Sequence, residues 1–153
     1  MRCDAKTEQK RFWKIFDEKL VENGEPFSIV HEKSGMVTYW AIVNKNNILV
    51  DNCISLDLLV REEKLRINIY IRDDLAFYNY LERNKQDIES MVSVPLSWIK
   101  GERNSNTRRI AFFKPVEIGN VENYAETIDE VLPVIMEMKQ VCQKYGKHIF
   151  FDF

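Results

Sequence analysis

One segment constrains the fold of this chain more than any other: residues 65–72, in which apolar and polar residues alternate strictly. The apolar side chains share one face of an extended strand and the polar ones share the other: Leu65, Ile67, Ile69 and Ile71 against Arg66, Asn68, Tyr70 and Arg72. A period of two predicts a strand in a sheet with one buried and one polar face. Only Arg61-Glu62-Glu63-Lys64 separates it from the preceding strand, so the two strands must pair antiparallel.

Other segments of the chain have the same strand periodicity. They are Phe27–His31, Met36–Val43, a long segment Ile48–Val60 with a bulge at Asp51-Asn52, Leu96–Ile99 and Arg109–Phe113. The last two flank the polar loop Lys100–Arg108, and we expect them to form a wide hairpin.

Apolar residues at spacings of three and four predict three helices. The first runs from about Thr7, which we expect to cap it, to Glu22, where Asn23-Gly24 stops it. The second covers about five turns after Asp73-Asp74 and ends before Pro95. The third runs from about Asn123, read as the cap of a capping box with Glu126, to Tyr145, with a kink at Pro133.

The predicted order is therefore α-β-β-β-β-α-β-β-α, an α+β domain. We expect a mainly antiparallel sheet of about six strands with three helices packed mostly on one face. At 153 residues the chain is predicted to be a single domain, residues 1–153. The aromatic tail, residues 147–153, is expected to dock on the core or to lie at a subunit interface and so form a homodimer.

Composition excludes several classes of protein. A formal net charge of −2 is too small for bulk attraction to nucleic acid or an anionic membrane, so any such binding needs a local patch. We expect no membrane association, because no stretch approaches the length and apolarity of a membrane span or signal peptide. The three cysteines are far apart and form neither a disulfide framework nor a zinc motif. A cytoplasmic protein with reduced thiols is predicted.

The arrangement resembles a known bacterial family. Phe12-Trp13 on the first helix, the strand Leu65–Ile71, the helix with Phe77 and Leu81, and Leu96-Ser97-Trp98 with the strand after it are similar to domain of unknown function 4268. The resemblance spans about Arg11 to Tyr145. It implies no established activity. It does imply that related domains are sometimes the C-terminal part of longer proteins with a nuclease-like or restriction-related domain, whereas we expect this domain to stand alone.

An enzymatic reading rests on Asp51, Glu62 and Lys64, which resemble the acidic-x-Lys signature of metal-dependent nucleases. In such sites two carboxylates hold Mg²⁺ and the lysine positions water or stabilises charge at phosphorus. However, Glu62 and Lys64 fall in a predicted turn, where charged residues are ordinary. This reading stays an alternative.

Other catalytic signals are weak. His31 and His148 have no ligand-spaced neighbour, and no phosphate-binding glycine motif is present. Cys53 and Cys142 lie among apolar residues, where burial keeps a thiol inert. We therefore expect no cofactor or metal, and a chain that is not an enzyme unless the nuclease alternative holds.

The leading hypothesis is an accessory binding module that contacts nucleic acid or a partner protein. Its expected contacts are the polar side of the central strand and the basic loop, with Trp98 available to stack on a base. They are Arg66, Tyr70, Arg72, Trp98, Arg103, Arg108 and Arg109. A third alternative is a structural role in which the aromatic tail drives self-association. Ligand, oligomeric state and strand order are left open.

Overall fold

The structure, a computed structural model, describes residues 4–24, 30–31, 36–43, 49–101 and 105–145, with side chains described over 4–24, 54–101 and 105–145. The four helices are α1 (Ala5–Glu22), α2 (Leu75–Arg83), α3 (Lys85–Met91) and α4 (Val121–Tyr145). The strands are β1 (Val30–His31), β2 (Met36–Val43), β3 (Leu49–Leu59), β4 (Lys64–Arg72), β5 (Ser97–Lys100) and β6 (Thr107–Pro115).

The strands form one antiparallel sheet in the order β1-β2-β3-β4-β6-β5. β3 and β4 pair without a shift from Asn52↔Ile71 to Leu59↔Lys64. β6 lies beside β4 after the helical crossover, and β5 pairs with β6 at the edge. The predicted α+β class, the antiparallel β3–β4 pair and the β5–β6 hairpin are confirmed.

The hydrophobic core lies on one side of the sheet, the core face. Strand residues on this face are buried together with apolar side chains from all four helices. They include Ile54, Leu56, Leu65, Ile67, Ile69, Ile71 and Ile110. Burying each such side chain contributes about 1.5–3 kcal/mol. Strict alternation then places the intervening residues on the opposite side, the polar face.

Three helices were predicted, whereas the described residues form four, because the predicted second helix breaks at Asn84. The backbone of Asn84 lies at φ −109° and ψ 23°, outside the helical region. Its Nδ2 donates to the carbonyl oxygen of Tyr80 (2.9 Å), and its backbone N–H donates to that of Leu81 (2.9 Å). An asparagine side chain that competes for helical carbonyls favours such a break.

Two predicted helix caps are also wrong, each by three residues. Asp4, not Thr7, caps α1, since its carboxylate accepts from the backbone N–H of Lys6 (3.2 Å). The Oδ1 of Asn120, not Asn123, accepts a backbone N–H in the first turn of α4 (3.1 Å). The predicted stop after α1 is confirmed, because Gly24 takes a φ of 66°, which suits glycine.

Several predictions fall on residues outside the described part. Of the predicted first strand, only Val30–His31 is described, and the tail at 147–153 lies beyond the described residues. The register between β2 and β3 shifts between Ala41 and Val43, opposite the predicted bulge at Asp51-Asn52. Over the described residues, no helix is both long and apolar enough to cross a membrane.

Candidate functional site

The polar face carries a hydrogen-bonded cluster in the middle of strands β3, β4 and β6. On β3 and β4, Ser55 pairs with Asn68 and Asp57 pairs with Arg66. On the other side of β4, Arg109 of β6 pairs with Tyr70, two residues after Asn68. We call Ser55, Asp57, Arg66, Asn68 and Arg109 the polar cluster. Because all five come from regular strands, the sheet itself fixes their positions.

Asn68 is the centre of this cluster and is fully buried. Its Nδ2 donates to the carbonyl oxygen of Ser55 (2.9 Å) and to the Oγ of Ser55 (3.0 Å). Its Oδ1 accepts from Nη1 of Arg109 (2.6 Å). Both ends of the amide are therefore used, as a buried polar group requires.

Asp57 brings two guanidinium groups together. Arg66 Nε donates to Asp57 Oδ2 (2.9 Å), and Arg109 Nη1 lies 3.6 Å from the same oxygen. The side chains are mostly shielded from water, at 10% exposure for Asp57 and 20–22% for the two arginines. One carboxylate facing two guanidinium groups leaves an excess of positive charge on the polar face.

Aromatic rings flank this charge on both sides. The guanidinium carbon of Arg109 lies 4.6 Å from the ring centre of Tyr70, and the Lys64 ammonium lies 4.6 Å from that of Phe113. Both distances are within the range of cation–π attraction. All four side chains are partly exposed, so the rings and cations present a mixed aromatic and basic surface.

The predicted contact residues do not form one surface. Arg66, Tyr70 and Arg109 lie together on the polar face, and Arg72 lies on the same face at the end of β4, where it pairs with Asp73 (3.7 Å). Trp98 and Arg108 lie on the core face, away from Arg109 on the polar face. The reason is that consecutive strand residues point to opposite faces. Arg103 falls outside the described residues.

Trp98 and Arg108 instead meet Tyr78 of α2 beneath the sheet edge, in what we call the edge cluster. The Tyr78 and Trp98 ring centres are 6.2 Å apart, and the Arg108 guanidinium carbon lies 5.9 Å from the Tyr78 ring. Arg108 Nη1 donates to the carbonyl oxygens of Ser105 (3.0 Å) and Thr107 (2.8 Å). Those two bonds hold the guanidinium against the ring.

Three polar atoms of the edge cluster are buried without a hydrogen-bond partner among the described residues: Tyr78 Oη, Trp98 Nε1 and Arg108 Nε. The phenol itself is fully buried. Desolvation of Tyr78, followed by the nearby Glu82 carboxylate, raises the pKa of the Tyr78 hydroxyl above its ordinary value. Tyr78 therefore stays protonated at neutral pH and acts as a donor.

Some site residues were missed from the sequence although the signal was present. Ser55 and Asp57 alternate with Ile54, Leu56 and Leu58 in the same way that Asn68 alternates with its neighbours. That period of two places both on the polar face. Tyr78 had no comparable signal, because its spacing on α2 is that of a core residue.

Comparison with known proteins identifies the family. The profile described as Domain of unknown function (DUF4268) matches residues 8–146, nearly the whole chain. The chain belongs to the DUF4268 family. A comparison with curated proteins gave no match.

Among solved structures, this DUF4268 chain is similar to the crystal structure of YbjN from E. coli, described as a candidate transcription regulator. Sequence identity is 9% and the TM-score is 0.48, with 90% of this chain and 95% of that chain covered. A likeness at this level carries no inference about function.

The nuclease alternative requires Asp51 and Glu62 to share an ion, and the strand pairing of this DUF4268 chain keeps them apart. Asp51 lies at the end of β3 where Asn52 pairs with Ile71, whereas Glu62 follows the other end, where Leu59 pairs with Lys64. The eight strand steps from residue 51 to residue 59 alone span roughly 26 Å. Over the described residues, no group of three or more His, Cys, Asp or Glu side chains is arranged to hold a metal.

Proposed function

We propose that this chain is a binding module for single-stranded nucleic acid and that the polar face is its binding surface. The observation that carries the proposal is the pairing of cations with rings on adjacent strands: Arg109 on Tyr70 and Lys64 on Phe113. Single-stranded nucleic acid is recognised by this combination, in which rings and guanidinium planes stack on bases while cations contact phosphates.

The spacing of the two ring–cation pairs supports a strand lying along the sheet. Tyr70 is paired with Arg109, and Phe113 lies four residues further along β6. At strand spacing, the two pairs are about 13 Å apart. Arg66, the cross-strand neighbour of Phe113, lies beside the second pair and adds a guanidinium to the surface. A chain of unstacked bases can therefore contact both pairs at once.

Duplex DNA fits this surface less well. Stacking on Tyr70 and Phe113 needs bases that have left the helix, and a duplex keeps its bases paired and stacked inside it. The formal net charge of −2 also argues against a strong non-specific attraction to duplex. We therefore expect preference for single strands.

The test is fluorescence anisotropy with labelled single-stranded and double-stranded DNA and RNA over a salt series. We expect single-stranded oligonucleotides to bind, with affinity falling as salt rises because phosphate contacts release counterions. Tyr70→Leu removes one stacking surface, and the loss of about 1–3 kcal/mol per base corresponds to an affinity drop of roughly 5- to 150-fold. Lys64→Gln lowers the salt slope.

The matched control is Lys14→Gln, which removes one cation from the exposed side of α1 and leaves the polar face intact. Urea unfolding of each variant checks that the sheet is preserved. Absence of binding at low salt overturns the proposal, as does binding by Tyr70→Leu and Lys64→Gln that equals the Lys14→Gln control.

A further inference from the structure

The edge cluster lies on the core face and takes no part in the proposed nucleic-acid surface. Its three buried atoms without a hydrogen-bond partner among the described residues are Tyr78 Oη, Trp98 Nε1 and Arg108 Nε. An indole N–H and a guanidinium N–H are donors only, and the Tyr78 hydroxyl carries a proton at neutral pH. All three groups therefore call for an acceptor.

Buried donors without an acceptor are costly. Each carries a desolvation penalty of about 1–3 kcal/mol when it lacks a partner. Native proteins keep few such groups, and those that persist point to a ligand, an ion or water. Three within one small cluster at the sheet edge are therefore informative.

The charge around the cluster indicates what kind of acceptor fits. Lys85 on α3 places its ammonium 5.6 Å from the ring centre of Trp98. Lys100 pairs with Arg108 across the β5–β6 ladder and is 65% exposed. Among the described residues whose contacts reach this cluster, these two lysines and Arg108 accompany one carboxylate, that of Glu82, which lies 3.9 Å from Lys100. The surroundings thus favour an anion.

We propose that the edge cluster binds a phosphate group, supplied either by inorganic phosphate or by a phosphate ester. Tyr78, Trp98 and Arg108 donate to the phosphate oxygens, while Lys85 and Lys100 neutralise its charge at the rim. Arg108 is already oriented by the carbonyl oxygens of Ser105 and Thr107, which limits the ordering that binding requires.

Glu82 is the internal competitor in this arrangement. Its carboxylate lies near Lys100 and contributes to the raised pKa of the Tyr78 hydroxyl. The negative charge of Glu82 therefore repels an anion bound at the edge cluster. Replacing it with a neutral isostere removes that repulsion. Glu82→Gln is therefore expected to bind phosphate several-fold more tightly than the unaltered chain.

The test follows the indole N–H resonance of Trp98 in the ¹⁵N-labelled full chain, assigned with Trp98→Phe, during titration with inorganic phosphate. A parallel titration uses glycerol phosphate, and a third uses chloride at matched ionic strength. We expect a saturable shift with a phosphate compound and none with chloride. Saturation by both phosphate compounds identifies the phosphate group itself as the ligand, and saturation by glycerol phosphate alone identifies an ester.

Tyr78→Phe keeps the ring and removes one donor, so we expect roughly a tenfold loss of affinity with the fold preserved. Tyr80→Phe, on the same helix and facing Tyr145, is the matched control and should bind normally. Tyr70→Leu, on the opposite face, should also bind normally, which separates this site from the proposed function. The proposal fails if neither inorganic phosphate nor glycerol phosphate gives a saturable shift, or if Tyr78→Phe responds as Tyr80→Phe does.

Discussion

At the scale of single residues, Asn68 shows how a buried amide orders the polar face. It links β3 to β6 across the central strand through Ser55 and Arg109, and so holds Arg109 where it stacks on Tyr70. A hydrophobic residue at this position would pack as well but would deprive the Arg109 guanidinium of the acceptor that Asn68 supplies. The amide thus contributes to the geometry of the surface as well as to stability.

Asn68→Ala is expected to destabilise the chain by about 1–3 kcal/mol, because it leaves the Ser55 carbonyl oxygen and an Arg109 donor without their shared partner. The measurement is the urea midpoint of unfolding. Asn79→Ala, an exposed asparagine on α2, is the control and should change stability by less than about 0.5 kcal/mol. Equal midpoints for the two variants would contradict the role assigned to Asn68.

The residue scale also shows what the sequence could predict about the site. Alternation was enough to place Arg66, Tyr70 and Arg109 on one face, and the same rule separates Arg108 from Arg109. Arg108 and Arg109 therefore contribute to different surfaces although they are adjacent in the sequence. The unpartnered donors of the edge cluster were beyond prediction, because they depend on how α2 packs under β5 and β6.

At the scale of elements, one polar contact joins α3 to the end of α4. The carboxylate of Asp87 accepts from the Lys144 ammonium (2.7 Å) and from the Tyr145 hydroxyl. α3 has only seven residues, too few to be stable alone. Its position therefore depends on contacts of this kind together with the burial of Ile88.

This contact predicts a pH dependence with two limbs. The hydrogen bonds from Lys144 and Tyr145 lower the pKa of Asp87 below 3.8, so its contribution is present above that pH and is lost as pH falls through the lowered value. The hydrogen bond to Asp87 raises the pKa of Lys144 above 10.5, so that contribution is lost as pH rises through the raised value. Both limbs require the same carboxylate.

Asp87→Asn should therefore lower the urea midpoint most near neutral pH, and the difference from the unaltered chain should shrink at both extremes. Unfolding curves over a pH series give the measurement. Glu89→Gln, an exposed carboxylate on the same helix, is the control. A difference that stays constant across the whole series would show that Asp87 acts without its two donors.

Elements were predictable where the periodicity was long and unbroken, as in β4 and α4. Boundaries were harder, because one asparagine can cap a helix, break it or extend a turn. Asn84 breaks a helix, Asn120 caps one, and Asn123 accepts from the backbone N–H of Glu117 in the preceding turn. Packing, which the sequence does not show, selects among these roles. The neighbour relation between β4 and β6 was also beyond the sequence, since two helices separate these strands along the chain.

At the scale of the whole molecule, one sheet separates two chemically distinct surfaces. The polar face combines aromatic rings and cations around Asn68. The core face carries the edge cluster, with its buried hydrogen-bond donors, beside β5. Both depend on β6, which supplies Arg109 to the first and Arg108 to the second. The tail, residues 147–153, lies outside the described part of the chain, and its role in assembly remains a prediction.

We expect removal of residues 148–153 to reduce a dimer of the full chain to a monomer, because the tail concentrates aromatic side chains that favour burial. Sedimentation velocity at several concentrations measures the mass, and circular dichroism checks that the shortened chain is folded. An unchanged mass would exclude the tail from self-association.

The two neighbouring arginines of β6 have one further consequence for anyone who alters this chain. Inserting or deleting a single residue in the first half of β6 would exchange the residues on its two faces. The Arg109 guanidinium would then face the hydrophobic core, and the Ile110 side chain would face solvent. Libraries for changing specificity should therefore diversify side chains along β6 while holding its length constant.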